Sequence, residues 1–273
     1  MESLARRMFR LVEPIASVTY NAAEPTDALL ALGLRDVWDA YFAGRAAPLG
    51  RVPAEVVHAV FYNFADGEAA RHIPGVWDLT TPEAAIAARE QGSVAALRRI
   101  LGDLADSPGL ARTADLATKA AISAPTEGRV MYAALRTLAV PEDPMARLWH
   151  AANLLREHRG DGHVAALITA RIGGTEAHAL HALSAGMPAE KFGRIHHLPA
   201  TRLAALRDRM RDRGLIDDSG WLSDAGRETK ERIESLTDDL AAPAYDSLEP
   251  SELVQLIADL EPLAAKLDAA GSR

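Results

Sequence analysis

Alanine, leucine and arginine recur along this chain while β-branched residues are sparse, a bias that favours helix wherever packing does not decide. The first expectation is therefore an all-α, mainly helical body. Apolar residues fall at helical spacing at both ends. Leu4, Met8, Leu11 and Ile15 form a stripe near the amino terminus, with Arg6, Arg7 and Arg10 off it. Leu253, Leu256, Ile257, Leu260, Leu263 and Leu267 form another over 251–270, an amphipathic helix to be packed on the body or on a partner subunit. With 48% hydrophobic residues in 273, the chain can fill one large or two medium cores.

Several function classes are excluded at once. There is no cysteine, hence no disulfide framework, thiolate metal site or thiol nucleophile. The amino-terminal stretch lacks the uncharged apolar run of a signal peptide, and no window approaches the roughly 20 apolar residues of a membrane span, so a cytoplasmic protein with no membrane partner is expected. The net charge of −8 leaves no global basic field, and any nucleic-acid contact must come from a local patch.

Glycine and proline divide the chain into a helical body over 1–172, a module over 173–245 and the terminal helix over 246–273. Gly33 breaks an early helix, and Gly44, Pro48, Gly50 and Pro53 force a loop after it. Gly128-Arg129 loosely echoes Gly44-Arg45, each ahead of a helix with an aromatic and polar patch; a duplication giving two similar rounds is one reading, although the matches are few. Gly160 is expected to end the helix that starts at Pro144, with Asp161 capping a new one over 162–172.

The module reads as a helix over 176–184, a short helix over 188–193, a longer helix TRLAALRDRMRDR, two short arms around Asp218-Ser219-Gly220, and another helix from Ser223. The phrase RGLIDDSGWLSDAGR resembles the wing of MarR-type regulators, which implies a small winged-helix module containing a short two-stranded hairpin. Over nearly its full length the chain also resembles an actinobacterial family of helix-turn-helix proteins. The segments that carry this are YFAGRAAPLG, FYNF, LWHAANLLREHRGDGHVAAL and the wing phrase. The resemblance implies a helical body joined to a winged helix, and little about mechanism.

The charge pattern of the module is mixed. On the helix beginning at Thr201, Leu203, Leu206 and Met210 define the buried stripe, and at about 100° per residue the opposite face holds Thr201, Ala204, Ala205, Asp208 and Asp212. Arg207 and Arg211 flank it on one side, and Arg202, Arg209 and Arg213 on the other. Thr201, Arg202, Arg207 and Arg211 are the expected DNA contacts, the arginines on phosphates. Yet 176–240 holds 10 Lys and Arg against 12 Asp and Glu, where a basic domain would be expected.

The densest chemistry is WHAANLLREHRGDGH. Helical projection puts His150, Asn153 and Glu157 on one face and Trp149 near Arg156, while Arg159, Asp161 and His163 gather at the expected turn; His158 joins them as a titratable group. Paired arginines can clamp a carboxylate or phosphate, and a histidine can move a proton. Equally, these charges can brace one another and cap helix ends. Arg45, Tyr62, Asn63, Trp77 and Arg89 are the partners expected from the first half. The histidines lack the i, i+4 pairing of a helical zinc site, and no metal or cofactor is expected. The resulting reading is a homodimeric, ligand-responsive winged-helix DNA-binding regulator whose body takes a small anionic or aromatic molecule. The alternative is a small-molecule-binding or metabolite-converting protein that uses the winged helix only as scaffold, with His150, His158 or His163 as acid–base group.

Overall fold

The computed structural model describes residues 2–191 and 198–271. Its helices in chain order are α1 (Leu4–Asn21), α2 (Ala23–Leu30), α3 (Val37–Ala46), α4 (Ala54–Phe61), α5 (Pro82–Leu101), α6 (Leu110–Ser123), α7 (Val130–Arg136), α8 (Pro144–Thr169), α9 (Gly174–Ser184), α10 (Ala200–Asp212), α11 (Asp224–Ala241) and α12 (Pro250–Gly271). They form two compact units. The first comprises Met1–Pro53, His72–Asp161 and Asp238–Arg273, the second Ala54–Arg71 and Gly162–Thr237, so α8 and α11 each contribute residues to both.

In the first unit α2 packs on α5 and α1 on α12. The α2–α5 contact depends on Gly92: a β-carbon there would lie 2.5 Å from the Pro25 α-carbon and 2.6 Å from the Glu24 carbonyl oxygen. Met8, Leu11 and Ile15 of α1 are buried, as are Leu256, Leu260, Leu263 and Leu267 of α12, so most of each terminal stripe read from the sequence faces inward, whereas Leu4 is exposed and Leu253 only partly buried. Side-chain oxygens start several helices by accepting orphan amides: Ser3 from Arg6 N at 3.1 Å, Asp36 from Trp38 N and Asp39 N, and Thr81 from Ala84 N.

The second unit closes around Leu167, Ile172, Leu180, Leu183, Leu206, Met210, Leu215, Ile216, Leu222 and Ile233. Here the expected winged helix is corrected. Among the described residues there is no strand; the arms flanking the turn share one antiparallel bridge, Ile216 with Leu222. The reason is length. Gly214 adopts φ +69° at the end of α10, while Ser223 at the start of α11 accepts Gly226 N at 3.0 Å on its hydroxyl, so each arm has two residues where even a short strand needs about three. Asp217 closes the turn, its carboxylate accepting from the Ser219 hydroxyl at 2.6 Å and Trp221 N at 3.1 Å.

Two further expectations change. α8 does not stop at Gly160 but runs unbroken to Thr169, so Asp161 caps no helix. Asp161 instead accepts Tyr132 N, near the start of α7, at 2.9 Å. α3 continues through Gly44-Arg45 to Ala46, and the loop begins later than the glycine suggested. The short helix expected over 188–193 lies partly outside the described residues; within them is a single 3-10 turn, Ala189–Lys191.

Candidate functional site

α8 is buried nearly all round within the first unit, which is why its polar residues are buried as thoroughly as Leu148, Ala151 and Leu155. Trp149, Asn153 and Glu157 follow at i, i+4 and i+8 and meet side chains of α1, α3 and α5. Glu157, 3% exposed, accepts Arg45 Nη2 at 3.2 Å on one carboxylate oxygen and Arg156 Nη1 at 2.8 Å on the other. Arg156 also donates to Glu13 at 2.9 Å and lies over the Tyr20 ring, and Arg45 donates to the Tyr41 hydroxyl at 3.0 Å. Burial alone would raise the Glu157 pKa; Arg45, Arg156 and Arg89 outweigh it and hold the carboxyl at about 2.

Arg89 of α5 stands apart in this network. Its Nη2 donates to Asn153 Oδ1 at 2.8 Å and to the Tyr20 hydroxyl at 3.3 Å, and its guanidinium lies 5.2 Å from the centroid of the Trp149 ring. These partners are all neutral, and among the described residues no carboxylate pairs with it. The acceptors are themselves fixed: Asn153 Nδ2 donates to the Trp149 carbonyl at 2.8 Å, and Trp149 Nε1 to the Thr19 hydroxyl at 3.0 Å, which is 2.9 Å from that of Ser93.

Two cavities border Arg89. One of about 180 Å³ has Tyr20, Trp38, Tyr41 and Arg45 in its wall. The other, about 350 Å³, is walled by Ile86, Leu135, Leu138 and Val140 together with Trp149, His150 and Asn153. His150 is buried and its Nε2 has no hydrogen-bond partner; the same holds for Arg89 Nε. Burial, and then the charge of Arg89, lower the His150 pKa to about 4, so the imidazole is neutral at pH 7.

The other residues singled out from the sequence are dispersed. Trp77 is buried with no partner for Nε1. His158 is buried edge-on to the Tyr132 ring, neither nitrogen is hydrogen-bonded, and burial followed by the charge of Arg129 lowers its pKa to about 4. Arg159 pairs with Asp238 at 3.0 Å and lies over the Phe9 ring. Burial pushes Asp161 up to about 6. Tyr62, Asn63 and His163 belong to the second unit, where the Tyr62 hydroxyl donates to the Ile172 carbonyl at 2.6 Å and His163 Nδ1 lies 2.9 Å from the Thr237 hydroxyl. Arg159, Asp161 and His163 therefore form no common cluster, because the turn that was to gather them is uninterrupted helix.

Sequence reasoning missed Thr19, Tyr20 and Ser93, which carry no motif, Tyr41, which entered only as the start of YFAGRAAPLG, and a triad in the first unit. Asp36, Asp39 and His72 bring ligand atoms within 4.8 Å of one another. Asp39 is fully buried, takes two hydrogen bonds from the Arg35 guanidinium at 2.6 and 2.8 Å, and is 2.8 Å from His72 Nδ1; Arg35 first, against burial, and then His72 hold its pKa at about 2. Asp36 is engaged by the α3 amides. The donor atoms of this triad are spent on an ion pair and a helix cap, which is a brace for α3 and a poor fit to a cation.

In the second unit, Leu206 and Met210 are the buried residues of α10, with Leu203 partly buried. Thr201, Arg202, Ala204, Ala205, Asp208, Arg209 and Asp212 are exposed. Arg207 lies against the turn, close to Gly220, and Arg211 donates to Asp208 at 2.9 Å. Two of the four expected DNA contacts, Thr201 and Arg202, are thus openly presented, and the other two arginines are half-buried. A family model described as a helix-turn-helix family matches residues 5–272. The chain belongs to that family. No curated protein matches it, and no solved structure does. The match extends over both units of this helix-turn-helix protein, the helical body as well as the module carrying α10. No helix among the described residues is long and apolar enough to cross a membrane.

Proposed function

We propose that this protein is a DNA-binding regulator in which α10 of the second unit meets duplex DNA and the first unit holds a small organic ligand. The observation that carries the DNA-binding half is the exposure of α10 in a helix-turn-helix family member. Its packing uses one narrow stripe, and the small residues Ala204 and Ala205 beside Thr201 leave the outward face free of bulk. Arg202 and Arg209 on that face supply phosphate contacts, while Asp208 and Asp212 repel the backbone and limit how many can form. Affinity is therefore modest per copy. A homodimer reading two half-sites would offset this, and a palindromic operator goes with that arrangement.

The ligand-binding half is supported by the two cavities that share a buried, carboxylate-free arginine, since an unpaired charge and an unpartnered imidazole nitrogen are costly unless something occupies the space beside them. α8 and α11 contribute residues to both units, which offers a covalent route for coupling ligand to DNA.

The test is electrophoretic mobility of DNA from upstream of the protein's own gene, with nonspecific competitor and the full chain. The expected result is a competitor-resistant shift that the Arg202→Ala, Arg209→Ala double variant loses. Absence of a shift, or a shift indifferent to the double substitution, would overturn the DNA-binding reading.

A further inference from the structure

The 350 Å³ cavity of the first unit carries two chemical demands that no side chain among the described residues meets. Arg89 and His150 both line it, each is 4% exposed, and Arg89 Nε and His150 Nε2 are without partners. Arg89 spends Nη2 on a phenol and an amide and rests on Trp149. Around it three arginines, 45, 89 and 156, face two carboxylates, Glu13 and Glu157, both of which already pair with Arg45 or Arg156. Arg89 pairs with neither, acting on Glu157 only at longer range, and a buried guanidinium without a carboxylate partner is unfavourable.

Much of the remaining wall is apolar: Ile86 and Leu138 are partly buried, Leu135 is buried, and Val140 is 43% exposed. Glu90 also borders the cavity, and burial, and then Asp143, push its pKa upward.

We propose that this cavity binds a small monocarboxylate with a compact apolar body, its carboxylate on Arg89 with a second hydrogen bond from His150 Nε2–H, its body against Ile86, Leu135 and Leu138. The guanidinium neutralises the carboxylate, the neutral imidazole donates in its Nε2–H tautomer, and the apolar body covers the mouth near Val140. Asn153, locked by its bond to the Trp149 carbonyl, holds Arg89 in place before the ligand arrives. This inference rests on the reading that the first unit is a small-molecule site, and adds the class of molecule.

Calorimetric titration of the full chain with octanoate and with octanamide, matched in size and differing in charge, separates the two claims. Octanoate is expected to bind at least tenfold more tightly than octanamide, and Arg89→Met to remove that preference. Leu138→Trp, at a partly exposed position with no charged group of its own, is expected to weaken both probes while leaving the melting temperature near that of the parent, so the result stands even if Arg89→Met fails to fold. Equal binding of the two probes would overturn the carboxylate assignment and leave the site; binding of neither would overturn the assignment and remove the cavity as the site.

Discussion

Glu157 is the residue on which the interior of the first unit is balanced, because Arg45 and Arg156, both half-buried, pair with its buried carboxylate. Glu157→Gln is expected to cost about 3–5 kcal/mol in urea unfolding, the usual penalty for removing one partner of a buried ion pair. The histidines make the complementary prediction. His150 and His158 titrate near 4 in the folded protein and near 6.5 when unfolded, so below pH 6.5 the unfolded chain binds protons that the folded chain refuses. Stability is full above pH 6.5 and falls as pH drops toward 4. Asp161, raised to about 6, acts in the opposite sense, gaining stability as pH falls through 6, but one group is set against two. The urea midpoint followed from pH 7.5 to 4.5 should decline, and decline less in His158→Leu, whose ring has no hydrogen bond to lose. At this scale the sequence was informative about α8 only in part: periodicity put Asn153 and Glu157 on one face, but with His150, and set Trp149 near Arg156, whereas Trp149 joins Asn153 and Glu157 in the buried network. It could not reveal that Arg89 lacks a carboxylate, since that depends on which residues of α1, α3 and α5 arrive beside it.

Close backbone approach governs the elements. Gly226 at the start of α11 would place a β-carbon 2.0 Å from the Leu215 carbonyl oxygen, and Gly226→Ala is expected to destabilise by about 1–3 kcal/mol or more as the turn is pushed from the core. Thermal unfolding of that variant checks it; a neutral result would mean that the turn is not seated where Leu215, Ile216 and Leu222 are buried. Helices were legible because their stripes are long: α1 and α12 appear where Leu4 to Ile15 and Leu253 to Leu267 placed them. The wing was misread because Leu-Ile and Trp-Leu flanking a glycine turn have strand-like composition, whereas the caps on either side leave too few residues for a ladder. Gly160 was misread for a related reason. Glycine at mid-helix is costly but is tolerated where tertiary contacts hold both flanks, here Glu157 and Arg159 on one side and Asp161 on the other.

For the whole molecule, the net charge of −8 and the near-balance of charge around α10 mean that DNA attraction cannot come from a general field. On the proposed reading it comes from a few placed arginines, and this makes the ionic-strength dependence diagnostic. The family assignment covers both units. The most direct measurement is the salt dependence of operator affinity by fluorescence anisotropy, for the full chain and for Arg202→Ala, Arg209→Ala. With about 0.9 counterions released per phosphate contact, the slope of log K against log salt should become shallower by about 2 in the double variant, with affinity falling in parallel. Equal slopes for the two proteins would show that the exposed face of α10 does not carry the contact with DNA and would contradict the account.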